Sequence, residues 1–319
     1  MPRRSPVLGL IPYFPPVKIQ ITDTFAIHGF GILVAVAFIV GSHMAMRKAL
    51  RDGLDPELIN RLVGWLVLAV FVGGHLGHVI FYEPQYYLEH PLLIFKVWDG
   101  LSSFGGFIAC LAVTIWFFRR EGRKREIENQ HRQARGLPPY PPIRYWDYGE
   151  LCAYGWAFGW IFARTGCFLA HDHPGIVTDF FLGVRGICES APGDTSVACF
   201  DLGLLEALWA VPVSLFFFIA DRKPRFSGFF QGWWALLYGA ARMWYDGLRT
   251  HDTRWLVGVL GEQGVTPGQV LSAVMMLLGV WILVTRRGQP SARELYVGKG
   301  YADPVADRQA RIREAAAKH

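Results

Sequence analysis

Two arginines interrupt stretches of sequence that are otherwise almost entirely apolar. They are Arg164 and Arg242, and Asp246 follows Arg242 by four residues, which places both on one face of a helix. A charge inside a bilayer is costly and usually faces a polar cavity or pathway. Two guanidinium groups offer planar forks of N–H donors that match the oxygens of a phosphate, so these residue types predict recognition of a phosphate. Further ionisable side chains within apolar stretches include His28, His75, His78 and Glu206.

The densest polar segment is RTGCFLAHDHPG, residues 164–175. We expect the helix that carries Arg164 to end in His171, Asp172 and His173, with Pro174 stopping it and Gly175 permitting a tight turn. Adjacent residues point in different directions on a helix, so these three predict no metal site. A histidine that exchanges a proton near neutral pH is the chemistry we expect here, and histidines without a role are the alternative.

Composition indicates that the chain lies in a membrane. Hydrophobic residues make up 52% of the 319 residues and charged residues 18%, below the roughly 25% of a soluble globular chain. So much apolar surface also excludes disorder for most of the chain. The net charge of +6 is compatible with nucleic acid or with a cytoplasmic membrane face, and its distribution favours the membrane and no nucleic-acid partner.

Seven apolar segments are candidates for membrane-spanning helices, each near the roughly 20 residues that a span requires. They predict an all-α polytopic membrane protein. The segments are 24–46, 62–82, 101–118, 148–170, 202–220, 226–248 and 269–285.

Lysine and arginine predict the orientation. One set of connecting segments carries 23 of these residues and the other set carries 7, and the richer set belongs on the cytoplasmic side. The N-terminus is therefore predicted outside and the C-terminus inside. The predicted regions are an outer arm (1–23), a membrane domain (24–286) with an outer loop (171–201) and a basic cytoplasmic loop (119–147), and a cytoplasmic tail (287–319), partly helical near its end.

With this orientation the polar side chains fall at one depth. At a rise of about 1.5 Å per residue, Arg164 and Arg242 lie ~9–10 Å below the outer ends of their spans. The histidines and Glu206 lie ~6–10 Å below theirs. We predict a polar chamber in the outer third of the membrane, where a phospholipid headgroup supplies the phosphate. In the alternative, Arg242 and Asp246 only neutralise each other and Arg164 reaches outward.

Two further features lie on the outer side. The pairs Gly73-Gly74 and Gly105-Gly106 let helices approach one another or a ligand, and close helix packing is the simpler explanation. Cys188 and Cys199 share the outer loop and face an oxidising compartment, where they either form a disulfide or remain free thiols.

The sequence resembles one known family, the prolipoprotein diacylglyceryl transferases of the bacterial plasma membrane. Pieces matching in order and spacing run from about Pro12 to Thr285. They are PVKIQI, HGFG at 28–31, GGHLGH at 73–78 followed by FYEPQYYLEHPLLIFKVWDG, SFGG at 103–106, RTGCF at 164–168, LLE at 204–206, YGAAR at 238–242 and TPGQ at 266–269. The resemblance implies transfer of diacylglycerol from phosphatidylglycerol to the lipobox cysteine of a secreted prolipoprotein, releasing glycerol phosphate.

The resemblance also implies roles for residues. Arg164 and Arg242 match the family's arginines and are expected to act on the phosphate. The family's histidine between Phe104 and Gly105 is absent, so we expect His75, His78 or His171, in that order, to act as the base. Residues expected to bind substrate are His28, Gly105, Gly106, Gly166, Asp172, Gly175, Glu206 and Asp246, besides the two arginines. No cofactor is implied.

Several positions depart from the family pattern. Cys167 stands in place of an asparagine, Phe30 in place of a tyrosine and His75 in place of an arginine, and Asp172 and Asp246 each replace a glutamate. A second hypothesis is therefore an impaired or re-purposed relative that binds phospholipid or lipoprotein without transfer. A small transporter with an anion site is a third, although no internal repeat supports it.

The predicted orientation is testable with reporters. We expect a C-terminal fusion to be active with a reporter that works in the cytoplasm and inactive with one that works in the periplasm. The reason is that segments rich in Lys and Arg stay on the cytoplasmic side. A C-terminal reporter active only in the periplasm would contradict the predicted orientation and every depth derived from it.

Overall fold

The computed structural model describes residues 11–20, 26–96, 100, 102–249 and 264–317. Much of the predicted outer arm (1–10 and 21–23) and most of the predicted outer segment 249–268 lie outside the described residues. The described chain is mostly helical. Its helices are α1 (Gly29–Arg51), α2 (Pro56–Phe81), α3 (Pro84–Glu89), α4 (Ser103–Ala134), α5 (Tyr145–Ala170), α6 (Leu202–Ala220), α7 (Phe229–Asp246), α8 (Pro267–Arg286), α9 (Ala292–Tyr296) and α10 (Pro304–Ala316), with a 3-10 turn at Pro91–Phe95.

Each of the seven predicted spans coincides with a helix, namely α1, α2 and α4 to α8. Four of these, α1, α2, α6 and α8, are long and apolar enough to cross a membrane by length and composition. The chain is therefore a polytopic helical membrane protein. Helix α4 continues into charged sequence, and α5 and α7 each carry an arginine within an otherwise largely apolar segment.

The basic segment 119–147, which we predict to be a cytoplasmic loop between spans, is helical over its first half. Helix α4 continues through it to Ala134, because Arg, Lys, Glu and Gln are strong helix formers wherever water solvates their charges. The helix ends before Gly136, which adopts a left-handed φ of 70°, and two prolines follow. Charge marked the end of the apolar stretch but not the end of the helix.

The described chain divides into two compact units. Unit 1 comprises Met1–Met44 and Cys152–Pro290, and unit 2 comprises Ala45–Leu151 and Ser291–His319. Unit 1 has an aromatic core formed by Tyr154, Phe217 and Phe230. Helices α7 and α8 pack closely there, since a Cβ on Gly279 would come 2.8 Å from the carbonyl oxygen of Gly232.

Short strands are also present in unit 1, and the all-α prediction missed them. Strands β1 (Lys18–Gln20) and β2 (Ala26–His28) form an antiparallel pair. Strands β3 (Pro174–Val177), β4 (Val184–Arg185) and β5 (Ala198–Asp201) form a sheet of order β3-β5-β4 within the predicted loop 171–201. Cys188 and Cys199 are joined by a disulfide, the first of the two predicted alternatives.

The tail folds within unit 2. Helix α10 confirms the predicted helix near the C-terminus, and its Arg308 contacts Asp55 at 3.0 Å. Arg125 of the α4 extension donates to the same carboxylate at 3.2 Å. Asp55 also caps the N-terminus of α2, so one buried carboxylate joins three helices.

Glycines allow α2 and α4 to approach within backbone contact. A Cβ on Gly105 would lie 2.6 Å from Cα of Gly77, and a Cβ on Gly77 would lie 2.5 Å from Cα of Gly105. Gly106, the next residue, has its nearest neighbour at 3.5 Å, which is ordinary contact. This geometry supports helix packing as the role of Gly105.

This contact predicts different effects at two adjacent glycines. We expect Gly105→Ala to lower stability by about 1–3 kcal/mol, because the helices must separate or strain to admit the methyl group. Gly106→Ala is the matched control and should leave the thermal unfolding midpoint of the detergent-solubilised protein nearly unchanged. Equal midpoints for the two variants would contradict the packing role.

Candidate functional site

A buried carboxylate, Glu206, lies between the two arginines. Its Oε2 is 2.7 Å from Nε of Arg164 on α5, and its Oε1 accepts a hydrogen bond of 3.1 Å from Nη1 of Arg242 on α7. Glu206 is 1% exposed, so the ion pairs are shielded from water. The structure therefore brings together three predicted site residues from three helices.

The Arg242 guanidinium has a second acidic partner. Its Nη2 is 3.2 Å from Oδ1 of Asp246, one turn further along α7. Thr266, the N-cap of α8, donates its hydroxyl to the other oxygen of that carboxylate. A Cβ on Gly268 would lie 2.5 Å from Asp246, so this approach requires glycine. Thr266 was not among the predicted site residues, although its TPGQ motif indicated a capping box.

The Arg164 side chain is fixed on its other sides as well. Its guanidinium lies over the ring of Trp160, 4.5 Å from the centroid, and its Nη1 donates to Sγ of Cys167 at 3.5 Å. The side chains of Arg164 and Arg242 retain 13% and 20% exposure. Because a guanidinium carries five N–H donors, each arginine keeps donors that Glu206 does not occupy. Two guanidinium groups held in this way can donate hydrogen bonds to the oxygens of one phosphodiester.

The end of α5 differs from the prediction. The helix stops at Ala170, and His171 adopts the left-handed φ of 51° instead of extending the helix. Its ring compensates for this conformation, because Nδ1 lies 2.9 Å from Oδ2 of Asp201 and Nε2 lies 3.1 Å from the carbonyl oxygen of Phe14. Burial raises the pKa of Asp201 despite the contact with His171.

The predicted turn at Gly175 is therefore at His171. Gly175 belongs to β3 and approaches the chain after α7, where a Cβ would lie 2.7 Å from the carbonyl oxygen of Leu248. Gly166 packs against α1 in a similar way, because a Cβ on Gly166 would lie 3.3 Å from Phe30. Both glycines permit close packing around the site.

The turn after α5 gathers a second polar cluster. Donor atoms of Cys167, Asp172 and His173 all lie within 4.8 Å of one another. His173 Nδ1 and Asp172 Oδ1 are 2.5 Å apart, and this hydrogen bond, with one to Cys167, raises the pKa of His173 to about 9. On the continuous helix that the sequence predicts, His171, Asp172 and His173 would point in different directions. The left-handed residue breaks that helix and makes Cys167 the third member.

A cavity of about 230 Å³ adjoins this cluster. It gathers His28 and Asp172, two residues predicted to bind substrate, beside Phe30. The lining residues are Pro16, Val17, His28, Phe30, Leu169, Ala170 and Asp172. An apolar wall with two ionisable groups suits an amphipathic ligand.

The remaining predicted site residues belong to unit 2. His75 is 1% exposed, and both ring nitrogens meet carbonyl oxygens, Nδ1 that of Gly100 at 3.2 Å and Nε2 that of Ile94 at 3.0 Å. His78 is less enclosed, since its Nε2 lies 3.8 Å from Glu83 and its side chain is 21% exposed. Gly105 and Gly106 lie in the first turn of α4.

Apolar helices that are long enough to cross a membrane, with two partly exposed arginines paired to one buried carboxylate, define the class as a helical membrane protein with a charged group among its helices. Comparison with known proteins gives the family. The model of the family described as prolipoprotein diacylglyceryl transferase matches residues 16–285. The chain belongs to this family.

Curated relatives align with this chain over nearly their whole length. A phosphatidylglycerol–prolipoprotein diacylglyceryl transferase of Janthinobacterium sp. is 32% identical, with 86% of this chain and 97% of the relative covered. The protein of the same name from Solidesulfovibrio magneticus is 30% identical, with 89% and 98% covered. One from Cereibacter sphaeroides is 28% identical, with 83% and 92% covered.

Proposed function

We propose that this protein transfers diacylglycerol from phosphatidylglycerol to the lipobox cysteine thiol of secreted prolipoproteins and releases glycerol phosphate. The observation that carries the proposal is the pair of arginines on α5 and α7, both held by Glu206. The names of the relatives supply the two substrates, phosphatidylglycerol and a prolipoprotein.

In the proposed reaction the acceptor thiolate attacks the glycerol carbon that bears the phosphate ester. The C–S bond forms as the C–O bond breaks, and the phosphate leaves with an additional negative charge. Arg164 and Arg242 hold the phosphodiester through the donors that Glu206 leaves available and stabilise that charge as it develops. Because their side chains are already positioned, they do not need to reorganise during the reaction.

The proposed location is the bacterial inner membrane, with seven spans, the N-terminus outside and the C-terminus in the cytoplasm. The 23-to-7 distribution of Lys and Arg supports this orientation. The disulfide Cys188–Cys199 fits an outer, oxidising compartment. The site then opens toward the outer leaflet, where His28 and Asp172 border the lipid and the signal peptide and Gly166 and Gly175 permit the close packing around them.

A single assay tests the proposed reaction. The purified protein is incubated with phosphatidylglycerol vesicles and a lipobox peptide, and the peptide is analysed by mass spectrometry. We expect the mass of the cysteine to increase by one diacylglycerol, and a peptide with serine at that position to remain unmodified. A folded protein that leaves the cysteine peptide unmodified would contradict the proposal and favour the non-catalytic relative.

The arginines should be indispensable for this reaction. We expect Arg164→Ala and Arg242→Ala each to lower the transfer rate by about 10²-fold or more, the loss typical of removing one preorganised donor. Lysine at either position should restore little transfer activity, because it keeps the positive charge but lacks the planar pair of N–H donors of the guanidinium. Full activity in an alanine variant that still reaches the membrane would reduce that arginine to a structural ion pair.

The predicted bases His75, His78 and His171 also remain to be tested. Loss of His75 or His171 removes an enclosed ring whose two nitrogens both contact oxygen atoms, so we expect both alanine variants to unfold at lower temperature, and His78→Ala to keep its midpoint. A base is recognised by a rate loss at neutral pH that recovers toward about pH 9, where thiolate forms unaided. The same measurement is made for His28→Ala and His173→Ala. If all five variants keep the transfer rate and the pH dependence of the parent protein, histidine base catalysis is excluded.

A further inference from the structure

The cluster Cys167–Asp172–His173 combines a thiol, a carboxylate and an imidazole. These are the three side-chain types that bind zinc, and their donor atoms already lie within 4.8 Å of one another. Tetrahedral bonds of about 2.0–2.3 Å separate neighbouring donors by roughly 3.3–3.8 Å, so the donor separations in the cluster are already near those of a zinc site.

The backbone holds the cluster in this arrangement. Asp172 and His173 follow the left-handed His171, whose ring is bound on both sides by Asp201 and Phe14. Cys167 lies in the last turn of α5, against the start of α6, where a Cβ on Gly203 would lie 3.0 Å from the Cβ of Cys167. The turn therefore has anchors on two elements besides its own helix, and a preorganised ligand set binds metal at lower entropic cost.

The charges also suit a divalent cation. A thiolate and a carboxylate balance two positive charges, and His173 contributes a neutral ligand once the ion displaces its proton. The nearby cation, Arg164, is neutralised by Glu206 at 2.7 Å. Its Nη1 donates to Sγ of Cys167 at 3.5 Å, a hydrogen bond of the kind that outer groups provide to ligand sulfur atoms.

The cluster is open on one side. Cys167 is buried, whereas the side chains of Asp172 and His173 are 38% and 30% exposed, and Asp172 lines the 230 Å³ cavity. Three protein ligands with an accessible fourth position are the arrangement of catalytic zinc sites, whereas structural sites are closed by four ligands.

We propose that Cys167, Asp172 and His173 bind one zinc-class divalent ion whose fourth position takes the acceptor thiol as thiolate, an inference that rests on the proposed transfer reaction. A thiol loses its proton when it coordinates such an ion. The site thus supplies a nucleophile without the family's histidine, and Cys167 is part of the apparatus that replaces it.

The proposed step balances in atoms and charge. The acceptor thiol binds and releases its proton to water, and the bound sulfur then donates an electron pair to the glycerol carbon. The carbon–oxygen bond of the phosphate ester breaks, and glycerol phosphate leaves with the bonding electrons beside Arg164 and Arg242. The thioether is a weaker ligand than the thiolate and departs, which restores the open position.

Cobalt reports on this site independently of transfer. The full-length protein in detergent is stripped with a chelator and titrated with Co²⁺ alone at about pH 8, where protons compete less with the ion. We expect one equivalent to bind with a thiolate-to-cobalt charge-transfer band that Zn²⁺ abolishes. Cys167→Ser should lose the band, and His173→Ala should weaken binding at least about tenfold. Cys110→Ser, at another free thiol, is the matched control and should retain the band.

The outcomes separate the site from the reaction. Stripped protein should transfer diacylglycerol about 10²-fold more slowly and recover with Zn²⁺, since the ion takes over the task of a base. If the parent protein shows no charge-transfer band, the proposed metal site is wrong, whether or not the protein is active. If the band is present but the stripped protein keeps full activity, the metal does not activate the acceptor thiol. A band without transfer in either form contradicts the transfer reaction itself and leaves the metal site standing.

Discussion

The burial of Glu206 between two arginines is the interaction on which the site depends. A guanidinium within a membrane protein needs a partner, because its desolvation costs several kcal/mol that only a close, well-placed opposite charge offsets. One carboxylate here serves two arginines from α5 and α7, and Asp246 supplies the second negative charge. Two cations and two anions leave the group neutral, so the helices can pack around it while the arginines keep donors for a substrate.

The same carboxylate fixes where the helices meet. Glu206 lies on the second turn of α6, so α5 and α7 must both present their arginines at that level. Asp246 then reaches Thr266 at the start of α8, which extends the polar contacts to a fourth helix. Removing a single member of such a group leaves buried charges without partners, which costs more than the pair contributes. The polar group therefore specifies the packing of these helices more than it stabilises them.

The end of α5 is the second constraint, and it is conformational. A non-glycine residue at φ 51° is uncommon, and His171 adopts this conformation because Asp201 and Phe14 bind its ring. Asp201 also caps α6 through the backbone N–H of Leu204. One imidazole thus joins the end of α5, the start of α6 and the outer arm. The turn that results carries Asp172 and His173 back over Cys167 and creates the three-donor cluster.

Sequence by itself determined the membrane class, the long apolar helices and the family, and it singled out Arg164 and Arg242, because apolar length, charge and motif order are properties of the chain alone. It also named Glu206, as a charged residue within an apolar segment, and Asp246, through its spacing of four residues from Arg242. It placed the end of α5 three residues too late, because local propensity does not reveal what the His171 ring will bind. Its span 101–118 stopped where the apolar residues stop, whereas α4 continues to Ala134 through strong helix formers. Only the tertiary structure decided that one carboxylate serves both arginines, that His75 and His171 have both ring nitrogens in contact with oxygen acceptors, and that Cys167 joins Asp172 and His173. Each depends on residues distant in sequence, and their meeting is fixed by the packing of whole helices.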